Sequence, residues 1–462
     1  MGVSFIANIV LARLLTPSDF GVIGMLAIFV SISTTFIDGG FGSALIQKKE
    51  PTQSDYSTIF YVNIIISVTL YSLLYVCAPY IAEFYHMDML SRVLRCLGLI
   101  LILNAFSIIQ ANRLRKQLMF RKLSIISLAS ISISVVVAIV LAYNGYGVWS
   151  LVYMQIINSG VNSALLWLCG NWTPSWAFSK ESLKQLFGFG SFLLVSNLIN
   201  TACNNVQGLI IGRMFSPAIM GYYSQARKLE EIPSTSISSI IDKVSYPVMS
   251  AHQNNPAQLI TIIRKFILVL AFITFPIMIL LIILGKPLIV FLYSDKWLPC
   301  VPYFQILCIA GIAVALQSIN YYAVAATGKS KDLFKWTIIK RGSALAILVG
   351  GSFLGIFGLL IGTAVGAWII YLCNSLLVSR HLGYTFTQQF RDLSPVLLTS
   401  LISFLGAYSL TFLPIAPKWL HMLQTLFFVG LYLAIAHHLC PSTWYELKQI
   451  ITNINKQHDN NI

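Results

Sequence analysis

Charge is what this chain is short of. Only 10% of its 462 residues are Asp, Glu, Lys or Arg, against roughly 25% in an ordinary soluble domain. So few ionic groups cannot cover a water-facing surface, which excludes a soluble globular domain. Acidic residues are the scarcer sign, 15 against 30 Lys and Arg, and no clustered acid and base is visible along the chain. The eight cysteines form no CxxC pair and lie mostly inside apolar runs, so they read as small buried hydrophobes. His437 and His438 are adjacent, and neighbours on a helix point about 100° apart, a poor chelate. No metal site and no cofactor is expected. Met1 leads straight into an apolar segment without a basic n-region or small-residue cleavage site, so no cleavable signal peptide is expected.

What the chain does have is apolar length. Hydrophobic residues make up 57%, and the windows 59–82, 186–212, 266–285 and 393–417 contain no charge at all. A helix needs about 20 apolar residues to cross hydrocarbon. Spans are expected near 2–15, 20–46, 59–83, 93–112, 123–143, 147–169, 186–212, 219–249, 265–293, 301–326, 334–354, 357–379, 394–413 and 419–440. The expectation is an all-α polytopic membrane protein with about 14 transmembrane helices. No gap between spans leaves room for a separate catalytic domain. The first span, with 15 residues before Thr16, covers only about 22 Å of a roughly 30 Å hydrocarbon layer. Residues missing at the N-terminus are therefore expected.

The formal net charge of +15 would suggest nucleic acid in a soluble protein. Here it follows loop topology. One set of alternate loops holds Lys48, Lys49, Arg113, Arg115, Lys116, Arg121, Lys122, Lys180, Lys184, Arg264, Lys265, Lys329, Lys331, Lys335, Arg380 and Arg391. The other holds only Arg92, Lys286, Lys296 and Lys418, with Arg13 and Arg213 at its border. The basic set is cytoplasmic by the positive-inside rule, which puts both termini in the cytoplasm and makes nucleic acid no partner.

A repeat runs through the chain. "LARLLTPSDFG" (11–21) and "IIGRMFSPAIMG" (210–221) superpose at an offset of 200, aligning Arg13 with Arg213, Thr16 with Ser216, Pro17 with Pro217 and Gly21 with Gly221. "APYIAEFY" (78–85) resembles "KPLIVFLY" (286–293), and "VNSALL" (161–166) resembles "CNSLLV" (373–378). Three collinear matches imply two parallel-repeat six-helix bundles, related by an axis along the membrane normal, followed by two further helices. The expected organisation is a first bundle over 1–170, a cytoplasmic linker 171–185, a second bundle over 186–380, transmembrane helices 13 and 14 over 394–440, and a cytoplasmic tail 441–462.

"LARLLTPSDFGVIGMLAIF", "FIDGGFGSALIQKK" and "GYYSQARKLEEIP" followed by "VSYPVMSAHQ", with the fourteen-span layout, resemble the polysaccharide (Wzx-like) flippases of the multidrug/oligosaccharidyl-lipid/polysaccharide exporter superfamily. The resemblance covers essentially the whole chain. It implies a protein of the bacterial cytoplasmic membrane that moves an undecaprenyl-diphosphate-linked oligosaccharide, an O-antigen, capsule or exopolysaccharide unit, between leaflets by alternating access. A monomer is expected, because a central cavity within one chain needs no partner. The alternatives are a multidrug or organic-cation antiporter of the same superfamily and a membrane glycan polymerase or ligase. The antiporter wants acidic residues and a twelve-helix body, and the enzyme wants a large outer loop or a clustered acid and base.

An ionisable group inside a span is costly and faces a cavity or a partner. The segment 222–249 carries Arg227, Lys228, Glu230, Glu231, Asp242 and Lys243 with a Ser/Thr run from Ser234 to Ser239. Pairing at i,i+3 or i,i+4 would satisfy the charges locally. A hydrated cavity would explain the hydroxyls as well, and Pro233 should bend the helix there. For the diphosphate that the resemblance implies, the candidate cations are Arg13, Arg213, Arg227, Lys228 and Arg341. Arg13 and Arg213 could equally snorkel at helix ends. Sugar-contact candidates are Tyr222, Gln225, Asn204 and Asn205, drawn from a wider amide set that includes Asn63, Asn197, Asn200, Gln317 and Asn320. Interhelical hydrogen bonding competes for these. Asp38, the carboxylate of "FIDGGFG", either takes a coupling proton or sodium ion or pairs with an arginine of the first helix. Gly358, Gly362 and Gly366 form a small-xxx-small face for helix packing.

Overall fold

The computed structural model describes residues 2–414, 417–441 and 444. The expected tail, 441–462, lies outside the described residues except for Pro441 and Trp444. Among the described residues every regular element is a helix, and the chain divides into two compact units.

Unit 1 runs from the N-terminus to Ser224. It contains α1 (Gly2–Leu14), α2 (Pro17–Asp38), α3 (Phe41–Gln47), α4 (Gln53–Tyr85), α5 (Met89–Leu97), α6 (Leu99–Lys116), α7 (Phe120–Tyr143), α8 (Val148–Cys169) and α9 (Lys180–Met214), with the opening turns of α10 (Pro217–Ala251). Helix starts follow local chemistry. Thr16 caps α2 and Thr52 caps α4, each in a capping box with Asp19 or Asp55, and Pro17 occupies the first turn of α2. The expected continuous span 20–46 is instead broken at Gly39 and Gly40, whose φ values of 55° and 69° belong to the left-handed region. A Cβ on Gly40 would overlap the carbonyl oxygen of Gly190, so the break is also a close contact with α9. Buried Phe60 organises one apolar cluster, with Trp172, Trp167 and Phe106 ring centroids 5.7–5.9 Å away.

Unit 2, from Gln225 onward, contains the rest of α10, then α11 (Pro256–Ile283), α12 (Gly285–Tyr293), α13 (Cys300–Ala326), α14 (Ser330–Ser352), α15 (Gly355–Leu382), α16 (Phe386–Ser409) and α17 (Pro417–Leu439). The expected span 265–293 is interrupted at Leu284, between α11 and α12. α14 and α15 pack through the glycine face read from sequence. A Cβ on Gly362 would stand 3.0 Å from the Ile347 carbonyl oxygen, and one on Gly366 would stand 3.3 Å from Ala344 Cβ. Asn320 and Gln389 bond each other's amides at 3.1 and 3.3 Å, and the Tyr371 hydroxyl donates to Gln389 at 3.1 Å.

Ten helices among the described residues are long and apolar enough to cross a bilayer. α10, with its six ionisable side chains, is not one of them. Large apolar side chains such as Ile65, Val76 and Val136 in unit 1 and Leu398 and Leu405 in unit 2 point outward. Hydrocarbon, not water, is the solvent such a surface suits, and helices satisfy their own backbone groups within it.

Candidate functional site

Inside unit 1, four helices line an open cavity of about 510 Å³. Thr34, Thr35 and Asp38 come from the last turns of α2, and Asn104, Ser107, Asn112 and Arg115 from α6. α8 adds Asn162, and α9 adds Asn197, Asn200, Thr201 and Asn204. Polar groups in an apolar bundle need partners, and some of these find them, Thr35 across the space and Arg115 within its own helix. The hydroxyls of Thr35 and Thr201 are 3.1 Å apart, and an Arg115 guanidinium N–H donates to Asn112 Oδ1 at 3.1 Å. Arg115 is also the opposite charge that acts on the Asp38 carboxylate.

One group stays unmatched. Asn112 is 3% exposed, and its Nδ2 has no hydrogen-bond partner among the described residues. An unmade buried donor of this kind costs about 1–3 kcal/mol. Glycine keeps this corner open: a Cβ on Gly42 would stand 2.6 Å from Asn112 Nδ2 and 3.2 Å from Asp38 Oδ1. The cavity thus offers amide donors and acceptors, hydroxyls and one charge of each sign.

Of the residues singled out in sequence, Asp38 and Asn204 line this cavity, together with Asn197 and Asn200 of the wider amide set. The charge acting on Asp38 is that of Arg115 on α6. Asn205, on the same helix as Asn204, donates to the Thr201 carbonyl oxygen at 2.8 Å. Tyr222 is half-buried. Arg13 and Arg213 are exposed in the last turns of α1 and α9, where a cation complements the helix dipole. The Arg213 guanidinium also lies 5.2 Å over the Phe84 ring.

In unit 2, Gln225 is buried, Arg227 is half-buried and Lys228 is exposed. Arg227 Nε pairs with Glu231 Oε1 at 2.7 Å, the i,i+4 partnership considered from sequence. The hydroxyl run is also satisfied locally. Ser234 and Ser238 donate to the carbonyls of Glu230 and Ser234 at 3.1 and 2.7 Å, and Thr235 donates to that of Glu231. These back-bonds account for the hydroxyls without a cavity. α10 continues through Pro233 and Pro247. Glu230 is buried, its Oε1 filling the space beside Gly311. Arg341 is half-buried, whereas its neighbour Lys340 is buried and donates to Asn374 Oδ1 at 2.9 Å.

Asn104, Asn112 and Arg115 escaped the reading of the sequence, Arg115 having been counted only among the cytoplasmic loop cations. A signal was present. Positions 104, 107, 112 and 115 fall within about 140° of one helix face, and 197, 200, 201 and 204 within about 100° of another. Two polar stripes in otherwise apolar helices mark surfaces turned away from lipid.

The chain matches the family model described as "Polysaccharide biosynthesis protein" over residues 10–302. It is 28% identical to the teichuronic acid biosynthesis protein TuaB of Bacillus subtilis (strain 168) over 351 residues, covering 73% of each chain. It is 22% identical to the lipopolysaccharide biosynthesis protein WzxC of Escherichia coli (strain K12), covering 89% of this chain and 84% of that one. In fold it is similar to the lipid II flippase MurJ in an inward closed conformation, with a TM-score of 0.75, 16% identity, and coverage of 94% of this chain and 95% of the other. With well over half its length inside the family model, this chain belongs to the polysaccharide biosynthesis protein family.

Proposed function

We propose that the chain translocates a glycan carried on undecaprenyl diphosphate from the inner to the outer leaflet of a bacterial cytoplasmic membrane, by alternating access and without covalent chemistry. The names of its relatives support a role in surface polysaccharide assembly. The observation that carries the reading is the unit 1 cavity, because an apolar bundle has no structural need for six asparagines around one space. Buried amides are costly unless something bonds them, and a hydroxyl-rich headgroup supplies both donors and acceptors. An antiporter of apolar organic cations would be poorly served by such a lining.

In this reading the repeats over 1–170 and 186–380 rock against each other, and 394–440 is an appendage to the second. Arg13, Arg213, Arg227, Lys228 and Arg341 are the cations offered to the diphosphate, with Tyr222, Gln225, Asn204 and Asn205 offered to sugars. Asp38 is the carboxylate available to a coupling proton or sodium ion. The protein acts as a monomer with both termini in the cytoplasm. The test is leaflet accessibility of a labelled undecaprenyl-diphosphate oligosaccharide in proteoliposomes. Protein-dependent exposure of the glycan on the far side is expected, and exposure no faster than in empty liposomes would overturn the reading.

A further inference from the structure

We infer that the unit 1 cavity is the subsite that reads the sugars, and that the sugar it takes is uncharged. The inference rests on the translocation reading above and deepens it.

Charge balance is the first argument. Among the described residues the lining carries one carboxylate, Asp38, and one guanidinium, Arg115. A diphosphate needs cations in excess, preferably several guanidinium forks, and Asp38 opposes any anion drawn toward Arg115. A hexuronic acid meets the same repulsion. A divalent metal is equally ill served, since a hard cation wants several anionic oxygens.

Hydrogen-bond capacity is the second argument. Each asparagine offers two donors and two acceptor lone pairs, and a sugar hydroxyl both donates and accepts. Asn197, Asn200 and Asn204 are exposed within the cavity along one face of α9. Opposite them on α6, the orphaned Nδ2 of Asn112 awaits an acceptor. Among the described lining residues none is aromatic, so what these residues offer a sugar is bonds to its hydroxyl edges. The cavity's size is within the range of about 300–1,000 Å³ typical of small-molecule sites.

The test uses the full chain in lipid nanodiscs with three probes: bare undecaprenyl diphosphate, the same lipid bearing a neutral hexose disaccharide, and the same lipid bearing a hexuronic acid disaccharide. In the Asn204→Cys variant, the neutral glycolipid is expected to slow maleimide labelling about fivefold relative to the other two, measured against the wild-type background. Asn112→Leu should bind the neutral glycolipid about tenfold more weakly, the effect of roughly one lost buried hydrogen bond. Its affinity for the bare lipid should not change. Asn200→Leu, at an exposed position, provides the same comparison should Asn112→Leu fold poorly. Equal protection by bare and neutral lipids, or stronger protection by the uronic acid lipid, overturns the inference. So does unchanged affinity for the neutral glycolipid in the variant that folds. Selective protection without transfer between leaflets would sink translocation and leave the subsite standing, and transfer without protection would do the reverse.

Discussion

Gly21 of α2 and Gly221 of α10 face each other's helix starts reciprocally: a Cβ on Gly21 would overlap the carbonyl oxygen of Pro217, and a Cβ on Gly221 would overlap that of Pro17. This is the twofold relation expected of equivalent elements in a parallel repeat. It also explains why Thr/Ser, Pro and Gly recur together. The hydroxyl residue caps the helix, as Thr16 does toward Asp19 N and Ser216 toward Ile219 N at 3.4 Å each. Proline fixes the first turn, and glycine alone lets two backbones cross this closely.

Gly21→Val should therefore force the two helix starts apart, since the obstacle is a backbone carbonyl that cannot rotate away. The expected loss is about 1–3 kcal/mol, in the range of overpacking substitutions. Thermal unfolding in detergent measures it, and an unchanged midpoint would show that the crossing relaxes freely.

Arg227→Ala separates stability from transport. Its pair with Glu231 joins side chains 32% and 45% exposed, and such pairs contribute roughly 0–1 kcal/mol after solvent screening. The melting midpoint should barely move. Translocation of the labelled glycolipid should fall about tenfold, equivalent to about 1.4 kcal/mol. A large drop in stability with normal transport would assign Arg227 to scaffolding.

Asn320 was a sugar-contact candidate by composition, but the structure gives its amide to Gln389. Asn320→Leu would strand the buried Gln389 on that side, costing about 1–3 kcal/mol. Glycolipid affinity of the folded variant should match wild type. Binding titration beside thermal unfolding distinguishes this from a substrate role.

Tyr384, between α15 and α16, donates its hydroxyl to Asp392 Oδ2 at 2.7 Å, and Asp392 also pairs with Arg264. Burial first, then the hydrogen bond to Asp392, push the Tyr384 phenol above its ordinary range. A group whose folded pKa is raised contributes stability that is full below its unfolded value, about pH 10 for tyrosine, and is lost as pH climbs through the folded value. Tyr384→Phe should cost about 1.5–3 kcal/mol for a hydrogen bond to a charged acceptor. The cost should be constant from pH 7 to 9 and shrink only in stronger alkali. Melting curves for both proteins across that range check the slope.

The sequence by itself determined the solvent of the fold, the helical class and the repeat. Hydropathy and helix capping act within a few residues, so a charge-free window or a Thr16–Pro17 start carries its meaning locally. The same locality allowed Asn197, Asn200 and Asn204 to be noticed as unusual in a span. Only the tertiary structure decided which of the polar residues share a space. Asn112 and Arg115 of α6 share one cavity with Asn197, Asn200 and Asn204 of α9, while Asn320, chemically the same residue type as Asn204, bonds Gln389 of α16 and is consumed there. A side chain's partner depends on the rotation and register of helices far apart in the chain, and composition carries no record of either.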